Sequence, residues 1–375
     1  ASKLLRELIA IPSVNPAFLA AGDARAGEKR VADFLGAIAA SRGLDIELRE
    51  VFPGRANLLA HYAPPGAVRR RIVLAPHMDT VGEPGLSDAL FEPREQNGRL
   101  YGRGACDTKG SVAAMLTALT EVANSPKRPQ HTAITFAGLV DEENGQKGSR
   151  ALVRDKFKAD LAIVGEPTQL KVVTAHKGDL WLRVETHGQS AHGAKPELGR
   201  NAVLAMARIV DLLETKYARA LDRKRHPLLG HATVNVGAIR GGSQPNIVPD
   251  HCEISVDRRT IPGETEAGVW RELRSFLRQR HHKARLINSK DAACLPLETD
   301  PGLPLVQELF RAAGQKEPAG VDFFCDAAVL SGGGIPSVVF GPGDIAQAHT
   351  AAEWISLRSL EAATAVLIRF LQAQP

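Results

Sequence analysis

Short apolar runs recur along both ends of this chain, and nearly every one leads into a reactive side chain. Arg71 to Pro76 runs into His77 and Asp79, and Thr132 to Val140 into Asp141, Glu142 and Glu143. Leu161 to Gly165 leads to Glu166, and Val338 to Gly343 leads toward His349. Such runs read as strands buried on both faces, the kind found in parallel sheets covered by helices. Strand-like runs also fall at 45–51 and 57–62, and helical spacing lies around and between the strands. Val31, Phe34, Leu35 and Ile38 mark a helix over 26–42 that Gly43 stops; 110–122 is Ala/Leu-rich, and 146–154 is shorter. In open α/β sheets, ligands gather at the carboxyl ends of strands. The reactive residues fall there.

The pattern changes in the middle. Strands at 180–185, 232–239, 252–257 and 284–287 alternate with helices at 200–213 and 264–280. That order is β-α-β-β-α-β, the split pattern of a ferredoxin-like unit. After Pro301 the earlier style resumes, with a helix at 304–313, a strand at 336–340 and a terminal helix at 356–372. The expected fold is therefore α/β, a mostly parallel sheet with helices on both faces. It is built from residues 1–176 and 290–375, with a ferredoxin-like α+β domain inserted at 177–289. A length of 375 residues accommodates this at about 150 residues per domain.

Composition narrows the function. Lys and Arg exceed Asp and Glu by 47 to 42, a net charge of +5, and aromatics are only 5%. A nucleic-acid groove needs a denser basic patch with interleaved aromatics, so no nucleic-acid partner is expected. The longest uncharged stretch, Ala327 to Gly343, has 17 residues with five glycines and two prolines. It reads as loops and a short strand, so no membrane span is expected. The first residues lack the pattern of a signal peptide. Four scattered cysteines without a CxxC pair make no disulfide scaffold. A cytoplasmic setting is the expectation.

Imidazole and carboxylate together suit a borderline divalent ion such as Zn²⁺. Two ions about 3.5–4 Å apart can share one carboxylate and activate a hydroxide between them. A further, unligated carboxylate can then carry the proton. Asp79, two residues after His77, points to the same side of an extended chain and can orient its ring. Adjacent Glu142 and Glu143 point opposite ways, which allows one to ligate and one to act as base. Each residue taken alone has a plain reading: a surface histidine, a helix-start acid, an N-cap at Asp107, a turn at Glu166. Their joint recurrence at successive strand ends is the argument for a metal site.

These residues carry a resemblance. His77-Met-Asp-Thr-Val, Gly102-Arg-Gly-Ala-Cys-Asp-Thr-Lys-Gly, Asp141-Glu-Glu-Asn-Gly, Val164-Gly-Glu-Pro-Thr, Ser190-Ala-His-Gly, Pro245-Asn-Ile-Val-Pro and Ala348-His-Thr occur in that order. Together they resemble the dizinc metallohydrolase family of acetylornithine deacetylase, succinyl-diaminopimelate desuccinylase, aminoacylase and glutamate carboxypeptidase. The resemblance implies two Zn²⁺ ions, with Co²⁺ or Mn²⁺ as substitutes. It implies that His77 and Glu143 bind one ion, Glu166 and His349 the other, and that Asp107 bridges them, with a cis peptide to Thr108. Glu142 would be the general base and Asp79 the residue that orients His77.

The resemblance also implies a homodimer formed through the inserted domain. His192 would reach the oxyanion in the partner's site, and Asn246 and Arg258 would lie near the substrate carboxylate. A turn histidine at 192 and a solvated strand end at Arg258-Arg259 remain the plain alternatives. Cys325 stands where many relatives carry Thr, which leaves the role of Asp326 open. Glu rather than Asp at position 166 tilts the expectation toward an N-acyl amino acid deacylase. A dipeptidase or carboxypeptidase of the same family is the alternative, and a non-catalytic relative of the fold a third. The retained Glu142 argues against the last.

Overall fold

Alternating apolar strands and helices build a layered α/β arrangement in the first of two units. The computed structural model describes residues 1–82, 85–289 and 294–375. One unit comprises Ala1–Thr174, Thr299–Ala319 and Cys325–Pro375, the other Ala175–Glu298 and Gly320–Phe324. The expected boundary at residue 290 lies outside the described residues.

In the first unit the sheet runs, in spatial order, Asp45–Phe52, Arg55–Tyr62, Thr132–Gly138, Arg70–Pro76, Leu161–Gly165 and Ser337–Val339. The last four strands are parallel, and the first two form an antiparallel pair at one side. Ala60, Ile72, Leu74, Ile134, Phe136, Ile163 and Val338 share one face. They bury against helices Ser2–Ile9, Lys29–Ser41, Lys109–Ala123, Pro304–Ala313 and Leu357–Gln372. The opposite face carries Val73, Ala75, Ala162, Val164 and Val339, all buried as well. Helix Asp326–Gly332 packs on that side against the strands at 161–165 and 337–339, and against helix Lys147–Arg154. Burial on both faces is the reason these strands read as unbroken apolar runs.

Three local features differ from expectation. Helix Ser2–Ile9 precedes the first expected element. The segment expected as loops around one strand contains helix Asp326–Gly332, in which Ala327, Ala328, Val329 and Leu330 are all buried. A helix buried all round has no polar spacing to reveal its period. The helix expected over 200–213 runs as Ala202–Asp211, then through a π-helical segment at Leu212–Tyr217 to Ala218–Leu221.

The second unit has four antiparallel strands in the order Thr233–Gly241, His251–Thr260, Gly178–His187, Arg285–Asn288. This is the ferredoxin-like arrangement. Leu180, Leu182, Val184, Cys252, Ile254 and Val256 face the helices, which supply Met206, Ile209, Val269, Leu273 and Leu277. Alternate residues of the same strands face away from that core.

His176 ends the strand Val173–His176 and is fully buried. Its Nδ1–H donates to the Lys177 carbonyl at 2.8 Å, and its Nε2 has no hydrogen-bond partner. Burial lowers its pKa from 6.5 to about 4. The native ring stays neutral where an unfolded chain would protonate it, so stability is lost as pH falls from about 6.5 toward 4. His176→Asn removes the titration and keeps a donor. Between about pH 7 and 5, wild type is expected to lose roughly 2 kcal/mol more than the variant, read from denaturant unfolding at each pH.

Candidate metal centre

Parallel strands deliver the ligand-type side chains to one end of the first unit's sheet. His77 follows Arg70–Pro76 directly and bridges to Leu139, just past the neighbouring strand. Glu142 and Glu143 lie three and four residues beyond that bridge. Glu166 follows Leu161–Gly165, the strand on the other side of His77's own. Asp107 sits at the end of the Gly102–Cys106 loop, before helix Lys109–Ala123, and its peptide to Thr108 is cis. His349 comes from the segment after the 3₁₀ turn Ile345–Gln347, with φ +60°.

Two of the loops are each wrapped around a buried carboxylate. Asp79 accepts the backbone N–H of Glu142 at 3.1 Å and of Glu143 at 3.2 Å. Glu28 accepts the N–H of Asp141 at 3.1 Å while pairing bidentately with Arg55. Asn15 bridges two of the three acids here, donating to Asp79 at 2.8 Å and to Asp141 at 3.0 Å. In the other loop Glu353 accepts from Gly104, Cys106 and Asp107 at 2.8–3.0 Å, with the Arg103 guanidinium at 3.3 Å. Charge-assisted bonds of this kind are the strong ones, and losing an acceptor leaves buried donors unpaired.

The ligand atoms fall into two groups that share Asp107. One is His77, Asp107 and Glu166, the other Asp107, Glu143 and His349, each with its atoms within 4.8 Å of one another. His77 Nε2 lies 3.1 Å from Asp107 Oδ1 and 3.8 Å from Glu166 Oε1. His349 Nε2 lies 3.3 Å from Asp107 Oδ2 and 3.2 Å from Glu143 Oε2. This corrects the expected pairing: His77 goes with Glu166, and Glu143 with His349. The reason is geometric: Glu166 directly follows Gly165, which lies opposite Pro76, whereas Glu143 lies four residues past the His77–Leu139 bridge on the other side.

Asp79 also differs in detail. His77 Nδ1 donates to the Asp79 carbonyl at 2.9 Å, and the carboxylate is farther, at 3.4 Å. The residue does fix the ring, but through its backbone, while its carboxylate fixes the amides of Glu142 and Glu143. In a neutral ring this leaves the Nε2 lone pair aimed at two carboxylates.

The donor set fits divalent cations. Glu143 Oε1 and Glu166 Oε1 are buried and accept no hydrogen bond. Burial, then the charge of Glu166, raises the pKa of Glu142 well above the ordinary range. Burial, then Asp107, raises that of Glu143 to about 7. Glu166 is raised by burial first, against the pull of His77. Burial also opposes ionisation of Asp107, yet hydrogen bonds from His349 and His77 outweigh it and hold its pKa below the usual range. Hydrogen bonds to Asp107 and then to Glu143 lift His349 to about 10. Crowded carboxylates and inward-facing imidazole nitrogens are the signature of a site that binds positive charge. Asp326, whose role the sequence left open, is buried beside this cluster. Its Oδ1 accepts the Ser149 hydroxyl at 2.5 Å, and burial raises its pKa to about 7 against the pull of that bond and of His77.

The remaining candidates lie in the second unit. His192 is exposed; its Nδ1 accepts from the Ala194 N–H at 3.1 Å, so a neutral ring carries its proton on Nε2. The His192 and Asn246 loops are tied together, Gly193 N–H donating to the Asn246 carbonyl at 2.7 Å. Arg258 faces the helices. It is 1% exposed, donates to Glu264 at 2.6 Å and lies 3.3 Å from the Tyr217 hydroxyl. The fork that the sequence reading reserves for a substrate carboxylate is thus occupied by Glu264. Arg259 points the other way and pairs with Asp257 at 2.9 and 3.0 Å.

Sequence reasoning missed Asn15, Glu28, Arg55 and Glu353. Only Glu353 carried a usable signal, an acid one residue before the Trp354–Ser356 strand and just after His349.

An α/β sheet with two overlapping His–carboxylate groups at the carboxyl ends of its parallel strands defines a metallohydrolase-type centre. Comparison with known proteins narrows the class. A family profile described as peptidase family M20/M25/M40 matches residues 73–373, and the chain belongs to that family. It is 36% identical over 327 residues to an acetylornithine deacetylase from Myxococcus xanthus, covering 84% of this chain and 83% of that protein. It is 32% identical to an acetylornithine deacetylase from Proteus mirabilis, covering 96% and 92%. In fold it resembles aminopeptidase PepT from Bacillus cereus, with a TM-score of 0.77, 22% identity and coverage of 99% and 97%. It also resembles the Bacillus subtilis YXEP protein, a dinuclear metal-binding peptidase of the M20 family, with a TM-score of 0.70, 14% identity and coverage of 99% and 96%. No helix among the described residues is long and apolar enough to cross a membrane.

Glu353 positions the Asp107 loop without touching the ligand atoms. In Glu353→Gln an amide NH₂ must face backbone donors whichever way the side chain is turned. The variant is expected to unfold at lower temperature and to hold ions about 10–100-fold more weakly. Elemental analysis and thermal unfolding check this; wild-type values for both would refute the role.

Proposed function

We propose that the protein is a metal-dependent amidohydrolase that removes the acyl group from an N-acyl amino acid, in the manner of acetylornithine deacetylases and desuccinylases. The observation that carries the reading is the pair of ligand groups sharing Asp107, with Glu142 beside them. Relatives named acetylornithine deacetylase at 30–36% identity support the substrate class. The proposed ligands are His77, Asp107, Glu143, Glu166 and His349, the ions two Zn²⁺, with Co²⁺ or Mn²⁺ able to replace them.

A bound ion pair supplies an acidified water and a Lewis-acid contact for the amide oxygen. The chain's own residues handle protons and orientation. Glu142 takes the proton from the attacking water and delivers it to the leaving nitrogen. Asp79 holds His77 in the Nδ1–H tautomer and keeps Glu142 and Glu143 in place. His192 of the partner subunit donates from Nε2 to the developing oxyanion.

Asn246 and Arg258 bind the α-carboxylate. For Arg258 this requires release from Glu264, so Arg259 is the second reading for that contact. A KM increase confined to Arg259→Ala would assign it there.

Residues 177–289 act as the dimerisation module, inserted between catalytic segments 1–176 and 290–375. Strand Thr233–Gly241 stands at the end of its sheet with Ile239 54% exposed, and Leu204 on the adjacent helix is 52% exposed, which supports pairing with a second copy. The proposed setting is the cytoplasm. A dipeptidase or carboxypeptidase activity on short peptides is the alternative reading within the family.

Glu142→Gln is expected to keep its metal content and lose about 10²–10⁴-fold in turnover. Surviving turnover would refute the base assignment. A panel of N-acetyl and N-succinyl amino acids beside dipeptides is expected to give the higher kcat/KM on the acylated amino acids; preference for dipeptides moves the protein to the alternative. Mixing His192→Ala with Glu142→Gln is expected to restore part of the activity that each lacks alone. No recovery in mixed dimers would count against His192 acting across the interface.

A further inference from the structure

Outside the centre, one more group of ligand-type side chains converges among the described residues: Glu185, His187 and His251, with ligand atoms within 4.8 Å of one another. His187 and His251 face each other directly across antiparallel strands, their rings 5.3 Å apart. Glu185 precedes His187 by two residues and shares its side of the sheet. That side is the one turned away from the helix-packed core of Leu182, Val184, Cys252 and Ile254.

The carboxylate is already held in place. Glu185 is 7% exposed, and Arg183 Nε lies 3.2 Å from its Oε1. Its Oε2 is turned to His187 Nε2 at 3.7 Å. Arg285 approaches Oε2 only to 3.8 Å and is itself 71% exposed, so it can swing into solvent. Glu253 lies across from Glu185 in register, with Arg183 3.9 Å away.

We propose that Glu185, His187 and His251 form a second, independent site for a single divalent transition-metal ion. Two imidazoles and one carboxylate suit Zn²⁺, Ni²⁺ or Cu²⁺ and do not suit Mg²⁺, which prefers oxygen ligands and retains its waters. The exposed histidines leave coordination positions open to solvent.

The location gives the site a mechanical consequence. His187 is the last residue of its strand and His251 the first of its own. The loops carrying His192 and Asn246 leave the sheet at these two residues. They are joined by Gly188 N–H to the Asp250 carbonyl at 2.7 Å and Val248 N–H to the Ala191 carbonyl at 2.8 Å. An ion between the two imidazoles ties the roots of both loops.

The test is equilibrium dialysis of the ion-loaded protein against micromolar Zn²⁺, beside the double variant His187→Ala/His251→Ala. Wild type is expected to bind one more Zn²⁺ per chain than the variant. Each single substitution is expected to weaken that ion at least about tenfold, and Mg²⁺ is expected to show no difference. Equal Zn²⁺ stoichiometry in wild type and variant would overturn the site. Both histidines are exposed; should the double variant fail to fold, either single variant gives the same reading. The comparison does not depend on the central ions, because it reads a difference between two proteins that share that centre. Slower amide exchange in residues 188–193 and 246–250 on adding Zn²⁺, in wild type alone, is expected from the tie. Unchanged exchange with the ion bound would remove the mechanical consequence and leave the binding site.

Discussion

Buried carboxylates that accept backbone amides are the constraint on which the centre depends. Asp79 and Glu28 hold three successive N–H groups at 141–143, and Glu353 holds three more at 104, 106 and 107. Neither loop is a strand or a helix, so neither has a ladder of its own to satisfy its donors. The acids supply acceptors the fold otherwise lacks and fix the loop backbones that present Asp107, Glu142 and Glu143. A buried carboxylate without such partners would be strongly disfavoured. Here the amide donors, Asn15, Arg55 and Arg103 compensate it.

The same logic, one layer inward, makes the ligand groups ready for cations. His77 donates its Nδ1–H to a backbone carbonyl, so a neutral ring keeps its Nε2 lone pair for a cation. Asp107 divides its two oxygens between two imidazoles. Glu143 and Glu166 each keep one oxygen without a hydrogen bond. Outer contacts are satisfied while inner ones are left open, an asymmetry that separates a binding site from a structural network of ion pairs.

Much of this was legible in the sequence because parallel strands buried on both faces write themselves as apolar runs, and reactive residues stood at their ends. The pairing of ligands was not legible. It depends on strand order, with 70–76 lying between 132–138 and 161–165, and spacing along one chain does not encode which neighbour a side chain leans toward. Glu28 reads as an ordinary surface acid, since its burial is created by segments far away. Helix 326–332 lacked polar punctuation. Arg258 shares the parity of Cys252, Ile254 and Val256, and a strand's alternation sends it to the packed side. In the second unit the alternation was a sound guide throughout, and it also separates Glu185, His187 and His251 onto the outer face.

The contact between Arg103 and Glu353 spans 250 residues of chain. Everything between them, the whole second unit included, must be synthesised before Glu353 emerges. Until then the Gly104, Cys106 and Asp107 amides have no acceptor and Asp107 is not held in place. Assembly of the centre is therefore a late event governed by long-range closure rather than by local structure. Before residue 349 is made, a chain growing on the ribosome contains four of the five proposed ligands and still lacks the acid that fixes Asp107.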